Sequence, residues 1–278
     1  MRSIPKAYIG VKPHMIKFCT LFSGSSGNCI FISTDKSKIL VDAGMSLKKI
    51  TEALETMGEN PCELDAVLIS HEHIDHIRGA GILSRKLNIP IYANSNTWNA
   101  MKSAIGNIKD ENIKCFDTEE GFEIKDIFIK PFSIPHDAVE PVGFNFFACE
   151  KKVTVATDIG HVTNGLINAL DESDFVLLEA NHDREMVKVS SYPWNLKQRI
   201  LGDDGHLSNE MAGKVVAHLA EKGTKMFMLG HLSKENNFPE LAFQTVSNEL
   251  AKKKIKAGTD VFLEVALRDR ASSMVTLK

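Results

Sequence analysis

The most informative segment of the chain reads Ser70-His71-Glu72-His73-Ile74-Asp75-His76. It follows the apolar residues 66–69 directly, which predicts a buried strand that ends in a cluster of polar side chains. Neutral imidazole is the commonest protein ligand for zinc and related divalent metals. A histidine-rich surface loop is the competing interpretation, and the histidines found later in the chain argue against it. The segment therefore predicts a metal site at a strand end.

The spacing within this segment predicts ligands for two metals rather than one. The side chains of His71 and His73 alternate on an extended backbone and can point the same way. Asp75 and His76 follow after the chain turns, so they can face a second metal.

Composition places the chain among ordinary globular proteins. Its 278 residues suffice for one large domain or two small ones, and 43% hydrophobic residues allow a sizeable core. The formal net charge of -3 argues against a strongly basic coat for nucleic acid. A phosphodiester substrate remains compatible with that charge, because bound divalent metals can supply the local positive charge.

Cysteine usage and hydropathy indicate a cytoplasmic protein without membrane contact. The cysteines lack any CxxC pair, which indicates reduced, buried thiols rather than disulfides or metal ligands; they are Cys19, Cys29, Cys62, Cys115 and Cys149. Residues 1–13 lack the apolar core of a signal peptide, and no run reaches the length of a membrane span. We expect a loose tail over residues 1–13 and a single domain over residues 14–278.

Periodicity predicts alternating strands and helices. Helices are expected over residues 47–57 and 77–87, a strand is expected around Phe116, and Ser208 is expected to cap a helix that runs to Lys222. Two β-rich halves, each flanked by helices, suggest an α/β fold with four layers in the order αββα. The site then lies where strand ends meet, at the edge between the two sheets.

Three further predicted strands end in candidate ligands, which are His136, Asp158 and His231. We assign one metal to His71, His73 and His136. A second metal takes Asp75, His76 and His231. Asp158 bridges the two, because a carboxylate has two oxygens with lone pairs to spare.

The complete ligand set resembles that of the metallo-β-lactamase superfamily of binuclear metal hydrolases, over about residue 15 to the end of the chain. The resemblance implies the αββα sandwich with its metal site at the edge between the sheets. The diiron oxygen-reducing branch typically has a glutamate where this chain has His73, which argues against redox chemistry. The implied cofactors are two divalent metal ions, zinc or manganese, and iron also fits.

Other segments resemble the YycJ (WalJ) group of that superfamily, namely residues 22–28, 41–44, 178–183, 205–209 and 229–237. This group is described as 5′-to-3′ exodeoxyribonucleases that act on double-stranded DNA. The resemblance alone implies a DNA partner and DNA-repair proteins as further partners. The chain is also similar to ribonuclease Z, but it lacks the arm that grips tRNA and an obvious inserted β-CASP domain.

The resemblance implies a mechanism in which a metal-bridged hydroxide attacks phosphorus. Asp75 would orient that hydroxide besides ligating a metal. His206, oriented by the carboxylate of Glu179, would stabilise the phosphoryl oxygens or protonate the leaving oxygen. The alternative for His206 is a structural residue at a helix N-terminus, beside the Ser208 cap.

Candidate substrate contacts have weaker signals. Ser25, Ser26 and Asn28 belong to a small-residue turn, which is either a phosphate cradle or a tight hairpin turn. His182 is either a phosphate contact or a solvated loop residue. Asp42 is expected to brace the loops of the metal site through hydrogen bonds.

Residues 184–199 interleave basic and aromatic side chains, among them Lys188, Tyr192, Trp194 and Lys197. Such a pattern can grip nucleic acid through phosphate contacts and stacking. A solvated face with core anchors is the favoured interpretation, with Trp194 buried at the start of a helix.

The leading functional hypothesis is a two-metal phosphodiesterase that acts as a 5′-to-3′ exonuclease on double-stranded DNA. The alternatives are a ribonuclease Z-like enzyme and a small-molecule phosphodiesterase. Thioester or β-lactam hydrolysis is disfavoured, because Glu179 and His206 suit phosphoryl chemistry. A regulatory binding protein on the same fold would be expected to have lost some of the seven ligands.

Overall fold

The computed structural model describes residues 15–278. Over this range the strands, in chain order, are β1 (Ile16–Phe22), β2 (Cys29–Ser33), β3 (Lys38–Val41), β4 (Ala66–Leu68), β5 (Ile91–Ala93), β6 (Ile113–Cys115), β7 (Phe122–Ile124), β8 (Ile127–Ser133), β9 (Val142–Ala148), β10 (Lys151–Ala156), β11 (Phe175–Glu179), β12 (Met226–Gly230), β13 (Phe262–Val265) and β14 (Val275–Leu277). The α-helices are α1 (Leu47–Thr56), α2 (Ile74–Ile77), α3 (Ala80–Leu87), α4 (Ser95–Ile105), α5 (Asn164–Leu170), α6 (Arg184–Val189), α7 (Trp194–Leu201), α8 (Asn209–Glu221) and α9 (Pro239–Lys252). Short 3-10 turns span Pro61–Glu63 and Asp110–Asn112.

The strands form two seven-stranded sheets of similar design. Their strand orders are β14-β1-β2-β3-β4-β5-β6 and β13-β12-β11-β10-β9-β8-β7. In each sheet, antiparallel strands lie at one side, and the parallel strands β3 to β6 or β10 to β13 lie at the other. Since parallel strands need long crossover connections, these are the places where helices intervene. The carboxyl ends of neighbouring parallel strands share one edge, where ligands can gather.

Three apolar clusters hold four layers together. The inner faces of the sheets pack on each other, and the rings of Phe18 and Phe175 lie 4.6 Å apart between their centroids. The outer face of the first sheet is covered by α1, α3 and α4. The outer face of the second sheet is covered by α5, α8 and α9. The predicted αββα order is therefore confirmed.

Several element boundaries differ from the predicted ones. The predicted helix over residues 77–87 is wrong at its start, because the chain breaks into α2 and α3 at residues 78–79. A Cβ atom at Gly79 would lie 2.1 Å from the carbonyl oxygen of Met45, so the break brings two backbone segments into close contact. The expected strand near Phe116 ends at Cys115, and Phe116 packs between the sheets. Strands β13 and β14 have no counterpart among the predicted elements.

The remaining predictions concern the N-terminal tail and membrane-spanning helices. The loose tail predicted for residues 1–13 lies outside the described residues. Within residues 15–278, no helix is long and apolar enough to cross a membrane.

Candidate metal centre

The first half of the centre comes from the loop after β4. His71 and His76 are almost fully buried there, and the Nε2 atom of His71 lies 3.1 Å from Nδ1 of His73. Asp75 and His76 belong to the short helix α2, which begins directly after His73. The turn into this helix separates His71 and His73 from Asp75 and His76, as the spacing predicts.

Backbone contacts hold this loop against the first sheet. The amide of Asn28 donates to the carbonyl of Asp75 at 2.8 Å, and the amide of Ala43 donates to that of His76 at 2.7 Å. A Cβ atom at Gly44 would lie 1.7 Å from the carbonyl oxygen of Asp75. Only glycine permits this approach, so Gly44 is required for the position of α2.

The second half comes from strand ends of the second sheet. His136 lies beyond β8, Asp158 beyond β10 and His231 directly after β12. Asp158 and His231 have φ angles of 61° and 55°, in the left-handed region that few residues other than glycine adopt. Such conformations cluster at functional sites, where the surrounding structure holds them in place.

All seven predicted ligands converge at one edge of the sandwich. Candidate ligand atoms lie within 4.8 Å of one another in four overlapping sets, which are His71, His73 and His136; Asp75, His76 and His231; His71, His76 and Asp158; and Asp158, Glu179, His206 and His231. Asp158 lies between the first two sets, since its Oδ2 is 3.4 Å from Nε2 of His76 and its Oδ1 is 3.8 Å from Nε2 of His136. The residues can therefore hold metal ions.

Three atoms of the cluster are buried without a hydrogen-bond partner among the described residues: Nε2 of His136, Oδ2 of Asp158 and Nε2 of His231. Leaving a buried polar atom unpaired costs about 1–3 kcal/mol. These atoms belong to the sets of candidate ligands that overlap at one place, and each has a lone pair that a cation can accept. The donor set thus fits divalent metal.

Outer hydrogen bonds orient the imidazoles for this purpose. Nδ1 of His76 donates to Asp42 at 2.7 Å, and Nδ1 of His136 donates to the carbonyl of Gly205 at 3.0 Å. Nδ1 of His231 donates to Glu179 at 2.7 Å. Because Nδ1 of each ring donates outward, Nε2 is the atom through which each imidazole would bind a metal. The expected bracing role of Asp42 is confirmed, since it also accepts from the amide of Ser70 at 2.8 Å.

Glu179 is a fully buried carboxylate at the end of β11. Its Oε1 accepts hydrogen bonds from His206 at 2.9 Å and from His231 at 2.7 Å. Its Oε2 accepts from the amides of Ile159 and Leu207. The sequence predicts only the contact with His206. Burial alone would raise the pKa of Glu179, but His206 and His231 hold it below its ordinary value.

Burial favours the neutral form of the His71 imidazole. The pKa of His71 lies well below its ordinary value, because burial and the neighbouring imidazoles of His76, His136 and His73 disfavour the charged form. A neutral imidazole is the form that binds metal.

The candidate substrate residues fall into two places. Asn28 is buried, and its Nδ2 lies 3.4 Å from Oδ2 of Asp75 and 3.1 Å from Nε2 of His76. Ser25 and Ser26 are exposed in the loop between β1 and β2. Asn28 thus contacts two candidate ligands through its amide nitrogen, whereas the two serines face solvent.

His182 is buried, so the solvated-loop alternative for it is wrong. It lines a cavity of about 150 Å³ together with His206, His161 and Arg184. Burial lowers the pKa of His182 to about 4. Its Nδ1 has no hydrogen-bond partner among the described residues.

The prediction that Trp194 is buried is wrong, because 73% of its surface is exposed. It is the first residue of α7, and only Ile200 of that helix is buried. The helix is anchored near its end, which leaves its beginning in solvent.

Sequence reasoning missed the groups that hold the backbone of His231. The hydroxyl of Ser23 accepts from the amide of His231 at 2.9 Å, and Nδ2 of Asn181 donates to its carbonyl at 2.8 Å. Nδ2 of Asn237 donates in turn to the carbonyls of Ala180 and Asn181. The motifs that contain these residues are visible in the sequence, but their bracing role depends on which loops meet.

Comparisons with known proteins agree with this architecture. The family described as "Beta-lactamase superfamily domain" matches residues 37–231. Exodeoxyribonuclease WalJ of Streptococcus pneumoniae (strain D39) is 44% identical over 246 residues, which cover 88% of this chain and 91% of that protein. Exodeoxyribonuclease YycJ of Bacillus anthracis is 41% identical over 244 residues, which cover 87% and 92%.

Solved structures support the fold independently. The metallo-β-lactamase fold protein YhfI of Bacillus subtilis superimposes with a TM-score of 0.67 at 17% identity, over 93% of this chain and 99% of that chain. The short form of human tRNase Z superimposes with a TM-score of 0.60 at 16% identity, over 92% and 98%. The chain therefore belongs to the β-lactamase superfamily of hydrolases and, within it, to the WalJ/YycJ family.

Proposed function

We propose that the protein is a metal-dependent phosphodiesterase that removes nucleotides from the 5′ end of double-stranded DNA. The observation that carries the proposal is the convergence of seven metal-ligand side chains, three of which have buried atoms without a hydrogen-bond partner. The names of the relatives, exodeoxyribonucleases WalJ and YycJ, favour DNA over other phosphodiesters.

The proposed ligands divide between two divalent metals. His71, His73 and His136 would hold one, and Asp75, His76 and His231 would hold the other, with Asp158 available to both. Five imidazoles suit zinc, and the carboxylates also admit manganese or iron. Bound cations would supply Lewis-acid chemistry, which lowers the pKa of water and neutralises charge on a phosphodiester.

The remaining chemistry belongs to the side chains around the cluster. Asp75 can orient the attacking water, since its Oδ2 lies 3.5 Å from Nε2 of His76 and 3.7 Å from Nε2 of His231. Nδ1 of His206 donates to Glu179, which leaves Nε2 for a phosphoryl oxygen or the leaving oxygen. His206 is partly exposed whereas Glu179 is fully buried, so His206 is the member of the pair that substrate can reach.

An end-labelled nuclease assay tests the proposal. A linear duplex with 5′-phosphates is incubated with protein loaded separately with manganese and zinc. The variant His76→Ala removes a buried ligand, and His218→Ala removes an exposed histidine of α8 as a matched control. We expect stepwise loss from the 5′ end with wild type and His218→Ala, and no loss with His76→Ala.

Two outcomes would contradict the proposal. An intact duplex with both metals would overturn DNA exonuclease activity, and structured RNA and small phosphodiesters would then be the next substrates. Equal digestion by His76→Ala and wild type would show that the centre described here does not perform the cleavage.

A further inference from the structure

The helices α6 and α7 form a surface extension between β11 and α8, which we call the α6–α7 hairpin (residues 184–201). Within the two helices only Val187 and Ile200 are buried. The hairpin is therefore anchored at two points and leaves most of its side chains available to a partner.

The hairpin exposes large apolar side chains next to the metal centre. Among the described residues, the two most exposed large hydrophobic side chains are Val189, at 83%, and Trp194, at 73%. The next two are Val139 and Ile74. Ile74 lies within the ligand segment, and the amide of Val139 donates to Glu72 of that segment. Large apolar side chains that stay exposed in this way indicate a binding surface.

The charge of the hairpin is opposite to that of the chain. Residues 184–201 contain four basic side chains and one acidic side chain, whereas the whole chain has a net charge of -3. Lys188 is half exposed and pairs with Glu185 at 2.6 Å. Nζ of Lys197 donates to the backbone carbonyl of Lys188 at 2.7 Å, which places the ammonium group of Lys197 against the end of α6. A basic surface that carries an exposed aromatic is complementary to nucleic acid.

Two contacts connect the hairpin with the metal centre. Nη2 of Arg199 donates to Asp137 at 3.1 Å, and Asp137 follows His136 directly. Arg184 and Leu201, the two ends of the hairpin, line the cavity of about 150 Å³ that His206 also lines. The two ends of the hairpin therefore lie at the cavity that His206 lines.

We propose that the α6–α7 hairpin holds the end of a DNA duplex, with Trp194 stacked on the terminal base pair and Lys188 and Lys197 against the phosphates. The inference rests on the proposed function, because it takes DNA as the substrate. A duplex exposes the flat face of a base pair only at its ends. A stacking tryptophan on the hairpin therefore selects ends over internal sites, which makes the enzyme an exonuclease rather than an endonuclease.

Tryptophan fluorescence tests the stacking contact directly. The chain has two tryptophans, and Trp98 is buried with its Nε1 donating to the carbonyl of Lys114. The metal-loaded protein is titrated with a short duplex whose 5′ linkages are phosphorothioates that resist cleavage. We expect quenching of Trp194 emission, no quenching in Trp194→Phe, and none with a covalently closed circular duplex. Equal quenching by the closed circle, or no quenching by the linear duplex, would overturn the inference.

Kinetics provide a second test with a matched control. Lys188 pairs with Glu185 and Lys252 pairs with Glu249, each three residues apart at 2.6 Å, so Lys188→Gln and Lys252→Gln make the same change at two places. We expect KM for linear duplex to rise roughly tenfold in Trp194→Ala, the size typical of a lost stacking aromatic. It should rise about threefold in Lys188→Gln, by loss of one phosphate contact, and stay at the wild-type value in Lys252→Gln.

The two proposals fail in different ways. If the wild-type protein digests no duplex, the proposed function is overturned, and the fluorescence titration still decides whether the hairpin binds DNA ends. If wild type and Trp194→Ala digest linear duplex with the same KM, only the role of the hairpin is overturned.

Discussion

The two sheets contribute to the metal centre in different ways. The first sheet supplies four candidate ligands from one loop, which are His71, His73, Asp75 and His76. The second sheet supplies one group at the end of each of four strands, which are His136, Asp158, Glu179 and His231. The first set is positioned by local backbone geometry, whereas the second depends on the register of a whole sheet. Because the loop supplies two ligands to each proposed metal, a change at one of its residues should disturb a single metal, whereas a change at a carboxylate of the second sheet should disturb several groups together.

The carboxylates behind the ligands repeat this contrast. Asp42, beside the first set, contacts one imidazole directly, that of His76, and reaches His71 only through the hydroxyl of Ser70. Glu179, beside the second set, orients both His206 and His231. Asp42→Asn and Glu179→Gln replace each carboxylate by an amide of nearly the same shape, so the two variants compare the two sets of ligands.

The largest effect is expected for Glu179→Gln. The amide nitrogen cannot accept hydrogen bonds, so either the imidazoles or the amides of Ile159 and Leu207 lose their acceptor. A lost hydrogen bond behind a ligand typically costs about 10–100-fold in metal affinity or activity. With two imidazoles affected, we expect about a 100-fold loss in kcat/KM on linear duplex.

The control for this change is Glu210→Gln, at an exposed glutamate in the first turn of α8. It should retain wild-type kcat/KM. If kcat/KM on linear duplex falls less in Glu179→Gln than in Asp42→Asn, the contrast between the two sets of ligands is contradicted.

A smaller effect is expected for Asp42→Asn. Asparagine retains one oxygen that can accept from the amide of Ser70, but it weakens the contact with Nδ1 of His76. We expect about a tenfold loss of affinity for one of two metals. Calorimetric metal titration measures the two sites separately, and equal weakening of both would show that the first set is not local.

A carboxylate away from the metal centre joins the two sheets. Asp126, in the turn between β7 and β8, accepts from the hydroxyl of Thr34 at 2.8 Å and from that of Ser37. Burial opposes ionisation, but these hydrogen bonds hold the pKa of Asp126 below its ordinary value. The stabilisation is therefore present above the unfolded pKa of about 3.9 and is lost as pH falls through the folded value.

For the partly exposed Asp126, we expect Asp126→Asn to cost about 1 kcal/mol at pH 7. Urea unfolding at several pH values measures this cost, which should shrink toward zero below the folded pKa. A cost that grows as the solution is acidified would contradict the assigned direction.

The smallest effect on the metal centre is expected from chemical modification of the cysteine thiols. Burial raises the pKa of Cys19 to about 11 and that of Cys29 well above its ordinary value. The prediction of buried thiols is wrong for Cys62 and Cys115, which are exposed. A thiol reagent should modify Cys62 and Cys115 in the native protein and reach Cys19 and Cys29 only after unfolding. Peptide mapping identifies the modified residues, and the modified protein should keep its metal content, because no thiol belongs to the candidate ligand sets.

Local features of the centre could be predicted from the sequence. The ligands of the first loop lie within six residues, so their spacing already determines which side chains can face one metal. The ligands at the strand ends can be predicted because each follows an apolar run. A single such residue is a weak signal, and only the complete set predicts that they form one metal centre.

Features that depend on packing could not be predicted. The second partner of Glu179 follows from the register of β11 on β12, which pairs Glu179 with Gly230 and brings His231 alongside. The exposure of Trp194 depends on what α7 packs against, and periodicity within one helix does not reveal that. Strands β13 and β14 have four and three residues, too few for a clear alternation.

The left-handed conformation of His231 implies a conflict between selection for stability and selection for activity. At a φ of 55°, a residue with a side chain costs about 1–2 kcal/mol more than glycine. His231→Gly would relax the backbone and delete a candidate ligand in one step. The glycine variant would also lose the hydrogen bond from Nδ1 of His231 to the buried carboxylate of Glu179, so a library screened only for heat resistance should retain it only where the relief of backbone strain exceeds that loss.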